Sequence, residues 1–306
     1  MSRISIVIPC FNYGDSLGAT LESVLAQDDP DWEAIVVDDG SSDSTPEVGK
    51  EWAAGHPGHI QYIAQANAGP GAARNRGARG ASGEWLLFLD ADDVLLPGAL
   101  VRYRRAVAAS PQASLVIAGA ETLRNGVVVD TRRAAPAGAD RIRNFAAFVR
   151  GELCPFNGGA IMLHRRVMDR LHYPENIRTS EDYVFFAQAF SLFDCASAVE
   201  PAVAMHRHPG SLRYNRSALE SAREVMIDLL FDPQVLPEKA MRYRNEVEST
   251  WCLTVSRAYY MHRRYRDAAR YYRRAVRLYP RNLLRSSYLR KFLVSTVKSA
   301  AGAKGG

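Results

Sequence analysis

Short apolar runs alternate with amphipathic stretches along the first 95 residues of this chain. Four of the runs have the length and continuity of strands that are covered by helices on both faces. These runs are residues 4–8, 33–37, 60–64 and 85–89. Between them, capping residues and helical spacing predict helices that begin at Asp15 or Ser16, at Ser44 with a capping box, and at Gly71. The alternation predicts an α/β fold with a Rossmann-like, mainly parallel sheet and flanking helices.

Beyond Pro97 the pattern is mixed, and it predicts three more helices together with antiparallel pairing. The dipeptide Asn125-Gly126 before three valines is typical of a tight hairpin turn. The remaining predicted elements are helices over residues 97–109, 141–150 and 180–190, strands over 114–118 and 158–163, and a loop over 134–139.

Residues 217–298 have a helical pattern throughout. Within them, residues 249–282 match one copy of the tetratricopeptide pattern of two antiparallel helices. A single copy cannot bury its apolar face alone, so it is expected to pack on the first domain, either as a plain helical cap or as a peptide-binding surface. The sequence therefore predicts two domains, residues 1–212 with the sheet and residues 213–306 as a helical extension with a basic tail.

Polar side chains follow each of the four predicted strands. In open α/β sheets, ligands bind beyond the carboxyl ends of strands, where these side chains fall. Asp90 and Asp92 lie on the same face if the extended backbone continues past the fourth strand. Two carboxylates at one point predict a hard divalent cation, Mn²⁺ or Mg²⁺, which is commonly bound through substrate phosphates as well. A solvated acidic turn is the alternative.

Charge is distributed unevenly along the chain. Residues 241–306 carry 16 Lys and Arg against 3 Asp and Glu, a net charge of +13, whereas residues 1–240 carry 23 against 30, a net charge of −7. The basic amphipathic segment 283–306 favours contact with an anionic membrane surface or an anionic polymer acceptor, and a solvated helix face is the alternative. Nucleic-acid binding is not expected, because the tyrosines among the arginines occupy packing positions of the repeat.

Cysteine usage and the hydropathy profile indicate a cytoplasmic protein. The four cysteines show no metal-binding or redox spacing, which predicts reduced thiols. The chain enters a strand directly, without the pattern of a secretory signal, and no apolar run approaches the ~20 residues of a membrane-spanning helix.

Five segments in order resemble family 2 glycosyltransferases of the GT-A fold, over residues 3–210. The segments are Ile-Pro-Cys-Phe-Asn at 8–12, Val-Asp-Asp-Gly-Ser-Ser-Asp at 37–43, Asn-Ala-Gly-Pro-Gly-Ala-Ala-Arg-Asn at 67–75, Leu-Asp-Ala-Asp-Asp at 89–93 and Ser-Glu-Asp at 180–182. The resemblance implies an inverting enzyme that moves a hexosyl or N-acetylhexosaminyl group from a nucleotide-sugar, most often a UDP-sugar, to a hydroxyl acceptor in polysaccharide or glycolipid synthesis.

The resemblance also implies roles for single residues. Asp182 matches the general base, Asp92 the metal ligand, and His208 a further metal or phosphate contact, with His206 as the second choice. The expected contacts of the nucleotide-sugar are Pro9, Asn12, Asp39, Asn67, Gly69, Arg74, Asp90 and Ala91. For Asp182 the alternative is an acid that complements the helix dipole.

Two other functions fit parts of the pattern. A non-catalytic nucleotide-sugar binder or scaffold would keep the donor site without turnover. A nucleotidyltransferase would share the sheet and the metal but release pyrophosphate. A dinucleotide-binding fingerprint at Gly69-Pro-Gly71 is rejected, because the third glycine is missing and the segment follows the third strand rather than the first.

Overall fold

The computed structural model describes residues 2–154, 158–206 and 225–302. The chain divides into two compact units, Met1–Ser211 and Leu212–Gly306.

The first unit is a mixed sheet with flanking helices, as the sequence predicts. Its strands are β1 (Ile4–Cys10), β2 (Trp32–Asp38), β3 (Ile60–Ala64), β4 (Trp85–Phe88), β5 (Val94–Leu95), β6 (Leu115–Arg124), β7 (Val127–Arg132), β8 (Ile161–His164) and β9 (Cys195–His206). Its helices in the described residues are α1 (Gly14–Leu25), α2 (Thr45–Gly55), α3 (Pro70–Gly80), α4 (Ala99–Ala109), α5 (Arg141–Val149) and α6 (Glu181–Leu192).

The order of strands in the sheet is β3-β2-β1-β4-β8-β6-β9-β5, with β7 paired to β6. The first four strands are all parallel, and antiparallel pairs enter at β8. The chain winds outward from β1 to β3 and then returns to place β4 on the other side of β1. The crevice between the ends of β1 and β4 is therefore a topological switch point, the usual ligand position in such sheets.

Close packing of α3 against β1 keeps the sheet buried. All seven residues of β1 are buried. A Cβ added at Gly77 of α3 would lie 2.3 Å from Val7 Cγ1 and 3.1 Å from Val37 Cγ2. Only a glycine at this point lets the helix backbone approach the strands so closely.

The N-termini of α1 and α2 differ from the predicted capping. The side chains of Asp15 and Ser16 do not cap α1, and the Ser44 side chain forms no capping hydrogen bond to α2. Asp43 serves both helices instead, because its carboxylate accepts hydrogen bonds from the backbone N–H of Gly14 at 3.0 Å and of Thr45 at 2.9 Å. Local spacing suggests a capping box here, but a side chain shared between two loops replaces it.

Most elements of residues 97–192 agree with the sequence. The hairpin is present, with Asn125 at φ 52° and Gly126 at φ 75°, the left-handed pair of a two-residue turn. The strand expected over 158–163 begins only at Ile161, because residues Gly158–Ala160 form a 3₁₀ turn.

The described part of the second unit is helical with breaks. Residues 225–230 are helical, and α7 (Glu238–Met241), α8 (Arg244–Met261), α9 (Tyr265–Leu278) and α10 (Ser286–Gly302) follow. The expectation of uninterrupted helix is wrong at residues 231–237, where the chain turns.

Helices α8 and α9 form the predicted antiparallel hairpin. Two buried serines of α8 bond to carbonyls of α9, Ser249 Oγ to Ala275 O at 2.6 Å and Ser256 Oγ to Ala268 O at 2.8 Å. Among the described residues, none of the helices combines the length and the apolar character that a bilayer crossing requires.

Candidate active site

The turn after β4 is fixed by α1. The carbonyl of Ala91 accepts hydrogen bonds from Ser16 Oγ and Thr20 Oγ1, each at 2.9 Å, and Ala91 itself is buried. Asp90 on one side keeps 36% of its side chain exposed, and Asp92 on the other is half-buried. Anchoring the middle residue thus leaves both predicted carboxylates accessible at the switch point.

Negative charge accumulates at this edge of the sheet. Burial and the nearby carboxylates of Asp38, Asp43, Asp90 and Asp92 raise the pKa of the Cys10 thiol. For Tyr13, burial and the carboxylates of Asp92, Asp90 and Asp93 raise the pKa of the hydroxyl. Several carboxylates therefore lie close to the end of β1, an arrangement that favours a bound cation.

The donor set suits a hard divalent cation that shares its coordination with a ligand. Within the described residues no group of three His, Cys, Asp or Glu side chains forms a complete metal cage. Mg²⁺ and similar ions are commonly bound by one or two carboxylates together with substrate phosphates. Asp90 and Asp92 can supply the carboxylates. His208, the predicted further ligand, lies outside the described residues. His206 ends β9 beside the pair, with its backbone N–H donating to Asp93 Oδ1 at 3.0 Å and its Nδ1 2.7 Å from Asp92 O.

Asp39, the predicted base contact, is buried and organises the loop after β3. Its Oδ1 accepts from Gln65 Nε2 at 2.7 Å and from the Ala68 N–H at 2.8 Å, and its Oδ2 accepts from the Gly69 N–H at 2.8 Å. Gly69 has φ +97°, which an L side chain rarely adopts. Asn67 closes the same loop by donating to Asp39 O at 2.9 Å. A carboxylate has about four acceptor positions, and these contacts occupy three of them on Asp39.

Pro9 is the second-last residue of β1, and Asn12 lies two residues beyond the strand. Asn12 has φ 60°, and its Oδ1 accepts from the Ser42 N–H at 2.8 Å, which ties the β1–α1 turn to the β2–α2 loop. Pro9 is buried and lies in register with Val37 of β2. Phe11 between them is 47% exposed, a feature of the site that the sequence alone did not single out.

Arg74 connects two parts of the site. Its guanidinium is buried and donates to Asp90 Oδ1 at 2.9 Å and to Glu181 Oε1 at 2.6 Å. Burial lowers the pKa of Arg74, but Asp90 and Glu181 outweigh burial and raise it overall. Arg74 thus holds the carboxyl end of β4 and the N-terminus of α6 together. The family resemblance predicts Arg74 near the nucleotide, but no pattern in the sequence marks Glu181 as its partner.

Asp182 lies next to Glu181 in the first turn of α6. It is half-buried, and its Oδ1 accepts from the backbone N–H of Tyr183 at 2.7 Å. Burial and the charge of Glu181 raise the pKa of Asp182 to about 7, although Arg74 opposes the shift. A carboxylate with such a pKa is a competent proton acceptor near neutral pH.

A segment before α6 supports this arrangement, and no sequence signal marked it. Asn75 Nδ2 donates to Tyr173 O at 2.9 Å and to Glu175 Oε1 at 2.8 Å, while Asn75 Oδ1 accepts from the Tyr173 N–H. The Tyr173 ring stacks on Phe185 at 4.0 Å and lies 5.5 Å from the Arg74 guanidinium. The buried aromatic contact fixes α6 relative to α3.

Comparison with known proteins identifies the family of the chain. The sequence model of glycosyl transferase family 2 matches residues 5–170. The chain belongs to glycosyl transferase family 2. The match contains the Asp39 loop, Arg74 and the Asp90–Asp92 turn, and it ends before α6.

Curated relatives match parts of the chain. The succinoglycan biosynthesis protein ExoO of Rhizobium meliloti is 31% identical over 218 residues, 67% of this chain and 60% of ExoO. The uncharacterized glycosyltransferase YibD of Escherichia coli is 40% identical over 96 residues, 31% of this chain and 28% of YibD. The chain therefore spans less than two thirds of the length of these relatives.

Solved structures share the fold at low identity. S. aureus TarS 1–349 has a TM-score of 0.64 and 16% identity, and the alignment covers 98% of this chain and 92% of TarS 1–349. The mannosyltransferase PcManGT from Pyrobaculum calidifontis, in complex with GDP-Man and Mn²⁺, has a TM-score of 0.58 and 19% identity over 97% of this chain and 86% of that one. These likenesses confirm the GT-A-like fold.

Proposed function

We propose that this member of glycosyl transferase family 2 is a metal-dependent inverting enzyme. It transfers a hexosyl or N-acetylhexosaminyl group from a nucleotide-sugar, with UDP as the nucleotide, to a hydroxyl acceptor in polysaccharide or glycolipid biosynthesis. The observation that carries the proposal is the Arg74 bridge, because it joins the Asp90–Asp92 turn to the helix that bears Asp182. Residues 1–212 form the catalytic domain in this proposal.

The nucleoside end of the donor binds at the β1–β2 side of the switch point. The remaining acceptor position of Asp39 takes the base N–H, and Pro9, Asn12, Asn67 and Gly69 line the approach. A structure of S. aureus TarS in complex with UDP-GlcNAc supports a UDP-sugar, since it shares the fold. The two carboxylates at the end of β4 would hold the cation that neutralises the negative charge of the diphosphate.

Asp90 and Asp92 would hold Mn²⁺ or Mg²⁺, with His208 as a further contact. When bound, such a cation stabilises negative charge on the departing diphosphate. The Mn²⁺ in the PcManGT complex supports this assignment. The protein itself supplies the fixed position of the pair, through the hydrogen bonds from Ser16 and Thr20 to Ala91 O.

Asp182 acts as the general base. The acceptor hydroxyl transfers its proton to the Asp182 carboxylate while its oxygen bonds to the anomeric carbon, and the bond from that carbon to the diphosphate oxygen breaks. Attack from the side opposite the leaving group inverts the configuration. Glu181 is committed to Arg74 at 2.6 Å, which leaves Asp182 as the carboxylate of this pair that is open to the acceptor.

Hydrolysis of a panel of nucleotide-sugars with Mn²⁺ tests the proposal. We expect slow release of nucleoside diphosphate from one donor, accelerated by the correct acceptor. Binding of the donor without any release, under all acceptor conditions, would support the non-catalytic binder instead. Release of pyrophosphate from a nucleoside triphosphate would support a nucleotidyltransferase.

Membrane contact through the second unit is a further part of the proposal. Helix α10 exposes Leu293 and Val297 beside Arg290, and the turn before it exposes Leu284 at 85%. Apolar side chains next to cations suit an anionic bilayer surface, where a lipid-linked acceptor would be found. A Leu293→Ser, Val297→Ser variant should then lose salt-sensitive binding to phosphatidylglycerol vesicles. A cytoplasmic location belongs to the same proposal and is supported by the four cysteines, which are buried and form no disulfide.

A further inference from the structure

The second unit contains a cavity that is separate from the residues of the candidate active site. It lies between the end of α8 and the first turns of α10 and has a volume of about 420 Å³. Its lining consists of Arg257, Tyr260, Met261, Ser287, Tyr288 and Lys291. Sites for small ligands commonly occupy about 300–1,000 Å³, so the cavity has room for one or two sugar rings.

The cavity is cationic because two basic side chains line it and no acidic one does. Two acids of the α8–α9 hairpin are engaged elsewhere, since Glu248 pairs with Arg274 at 2.7 Å and Asp267 pairs with Arg264 at 2.6 Å. In the part of the chain that the structure describes, Arg257 has no carboxylate within ion-pair distance. Its guanidinium is thus available to an external anion, which it can bind through two parallel hydrogen bonds.

The second cation of the cavity is held in position. Lys291 Nζ donates to Ser287 Oγ at 2.7 Å and lies 5.5 Å from the centre of the Tyr288 ring. A fixed ammonium loses less conformational entropy when a ligand binds than a freely rotating one does.

Tyrosine rings supply the remaining surface. Tyr260 and Tyr288 come from the two helices that flank the cavity, and both are half-buried. A tyrosine offers an apolar ring face together with a polar hydroxyl, which matches the apolar C–H face and the hydroxyl rim of a sugar ring. Aromatic faces combined with two cations therefore select a sugar that carries a negative charge.

We infer that this cavity binds an anionic saccharide, a sugar bearing a carboxylate or a phosphate, within the acceptor chain. The inference rests on the proposed function, because it assigns the acceptor class. A lipid headgroup is less suited, because the exposed apolar residues Leu293 and Val297 lie on a different face of α10 from Ser287 and Lys291, at about 100° of rotation per residue.

Calorimetric binding to the full-length protein tests the inference with three probes. The probes are hexagalacturonate as an anionic oligosaccharide, maltohexaose as its neutral counterpart, and phosphatidylglycerol vesicles. We expect hexagalacturonate to bind and maltohexaose to bind at least about tenfold more weakly, since a charge-assisted contact is lost. Equal affinity for the two oligosaccharides would overturn the inference.

Substitutions of the two cavity cations test whether hexagalacturonate binds in the cavity. Arg257→Gln and Lys291→Gln should each weaken hexagalacturonate binding about tenfold, and Arg277→Gln is the matched control. Arg277 is exposed on α9, carries the same charge and does not line the cavity. Equal weakening by all three variants would indicate a diffuse charge effect and refute the site. Loss of vesicle binding in the cavity variants, without hexagalacturonate binding by the wild type, would assign the cavity to lipid.

Donor hydrolysis and hexagalacturonate binding, measured on the same protein, distinguish failure of this inference from failure of the proposed function. Donor hydrolysis with no hexagalacturonate binding overturns the cavity assignment alone. Binding that depends on Arg257, in a protein that hydrolyses no nucleotide-sugar, overturns the proposed function alone.

Discussion

Arg74 and Glu181 form a buried ion pair, with 2.6 Å between the guanidinium Nη1 and the carboxylate Oε1, although 107 residues separate them in the chain. The same guanidinium reaches Asp90 at 2.9 Å. One side chain therefore connects the two places where the proposed chemistry needs carboxylates, the turn that follows β4 and the first turn of α6. The contact has consequences for both stability and turnover.

Replacing Arg74 by methionine should destabilise the fold. The variant leaves Glu181, which is 4% exposed, as a buried carboxylate without its cation, and breaking such a pair costs about 3–5 kcal/mol. Urea unfolding measures the loss. Arg76→Met on the same helix is the control, because Arg76 is exposed and its replacement should change the free energy of unfolding by less than about 0.5 kcal/mol. Similar values for the two variants would show that the bridge contributes little.

Asp182→Asn should abolish turnover while donor binding is kept. The amide cannot accept the proton of the acceptor hydroxyl, and loss of a general base lowers kcat by about 10²–10⁴-fold. Transfer kinetics and the Kd of UDP should be measured together. Asp169→Asn removes one exposed carboxylate away from the site and should leave both values unchanged. An active Asp182→Asn enzyme would exclude Asp182 as the base.

The pH dependence should follow the raised pKa of Asp182. Because burial and Glu181 raise this pKa to about 7, the carboxyl is protonated at lower pH and cannot accept a proton. The value of kcat/KM should therefore rise about tenfold per pH unit below pH 7 and level off above it. Arg74 lowers this pKa, so Arg74→Lys, whose cation lies elsewhere, should move the rise to higher pH. A rise centred near pH 4 in the wild type would contradict the assignment.

Much of this site could be predicted from the sequence because its parts follow strand ends. Apolar runs of strand length locate β1 to β4, and in a parallel sheet their carboxyl ends share one edge, so Asn12, Asp39 and Asp92 had to lie near one another. The contacts that lock the site could not be predicted in this way. The Arg74–Glu181 pair and the Asn75–Tyr173 hydrogen bonds depend on how α6 and the segment before it pack. No local pattern in the sequence marks either contact.

The capping of α1 and α2 shows the same limit at short range. A capping box at Ser44 satisfies the local rule, yet Asp43 caps both helices across two loops. Local spacing carries no information about a side chain that becomes available only after the loops meet. The boundary of β8 differs from the predicted one for a comparable reason, since the 3₁₀ turn at Gly158–Ala160 takes up the start of the apolar run.

Removal of a divalent cation should stop transfer, and Asp92→Asn should weaken its binding. We expect excess chelator to abolish turnover and Mn²⁺ to restore it. In Asp92→Asn, the Mn²⁺ concentration for half-maximal activity should rise by at least about tenfold. Electron paramagnetic resonance of free Mn²⁺ gives a measure of binding without turnover. Asp130→Asn, an exposed carboxylate in β7, should retain wild-type values. Full activity of the wild type in chelator would refute metal dependence.

Because α3 and β1 are in close contact, a single methyl group added at Gly77 should lower the free energy of unfolding. In Gly77→Ala the new Cβ would lie 2.3 Å from Val7 Cγ1, so α3 or the strand must shift, and overpacking of this kind costs about 1–3 kcal/mol. Gly80→Ala is the matched control, because its Cβ would meet Ile63 Cδ1 at an ordinary 3.5 Å. Since α3 also carries Arg74, displacement of the helix should lengthen the bridge to Glu181 and reduce kcat along with stability. Equal unfolding free energies for the two variants would show that β1 and α3 separate without cost.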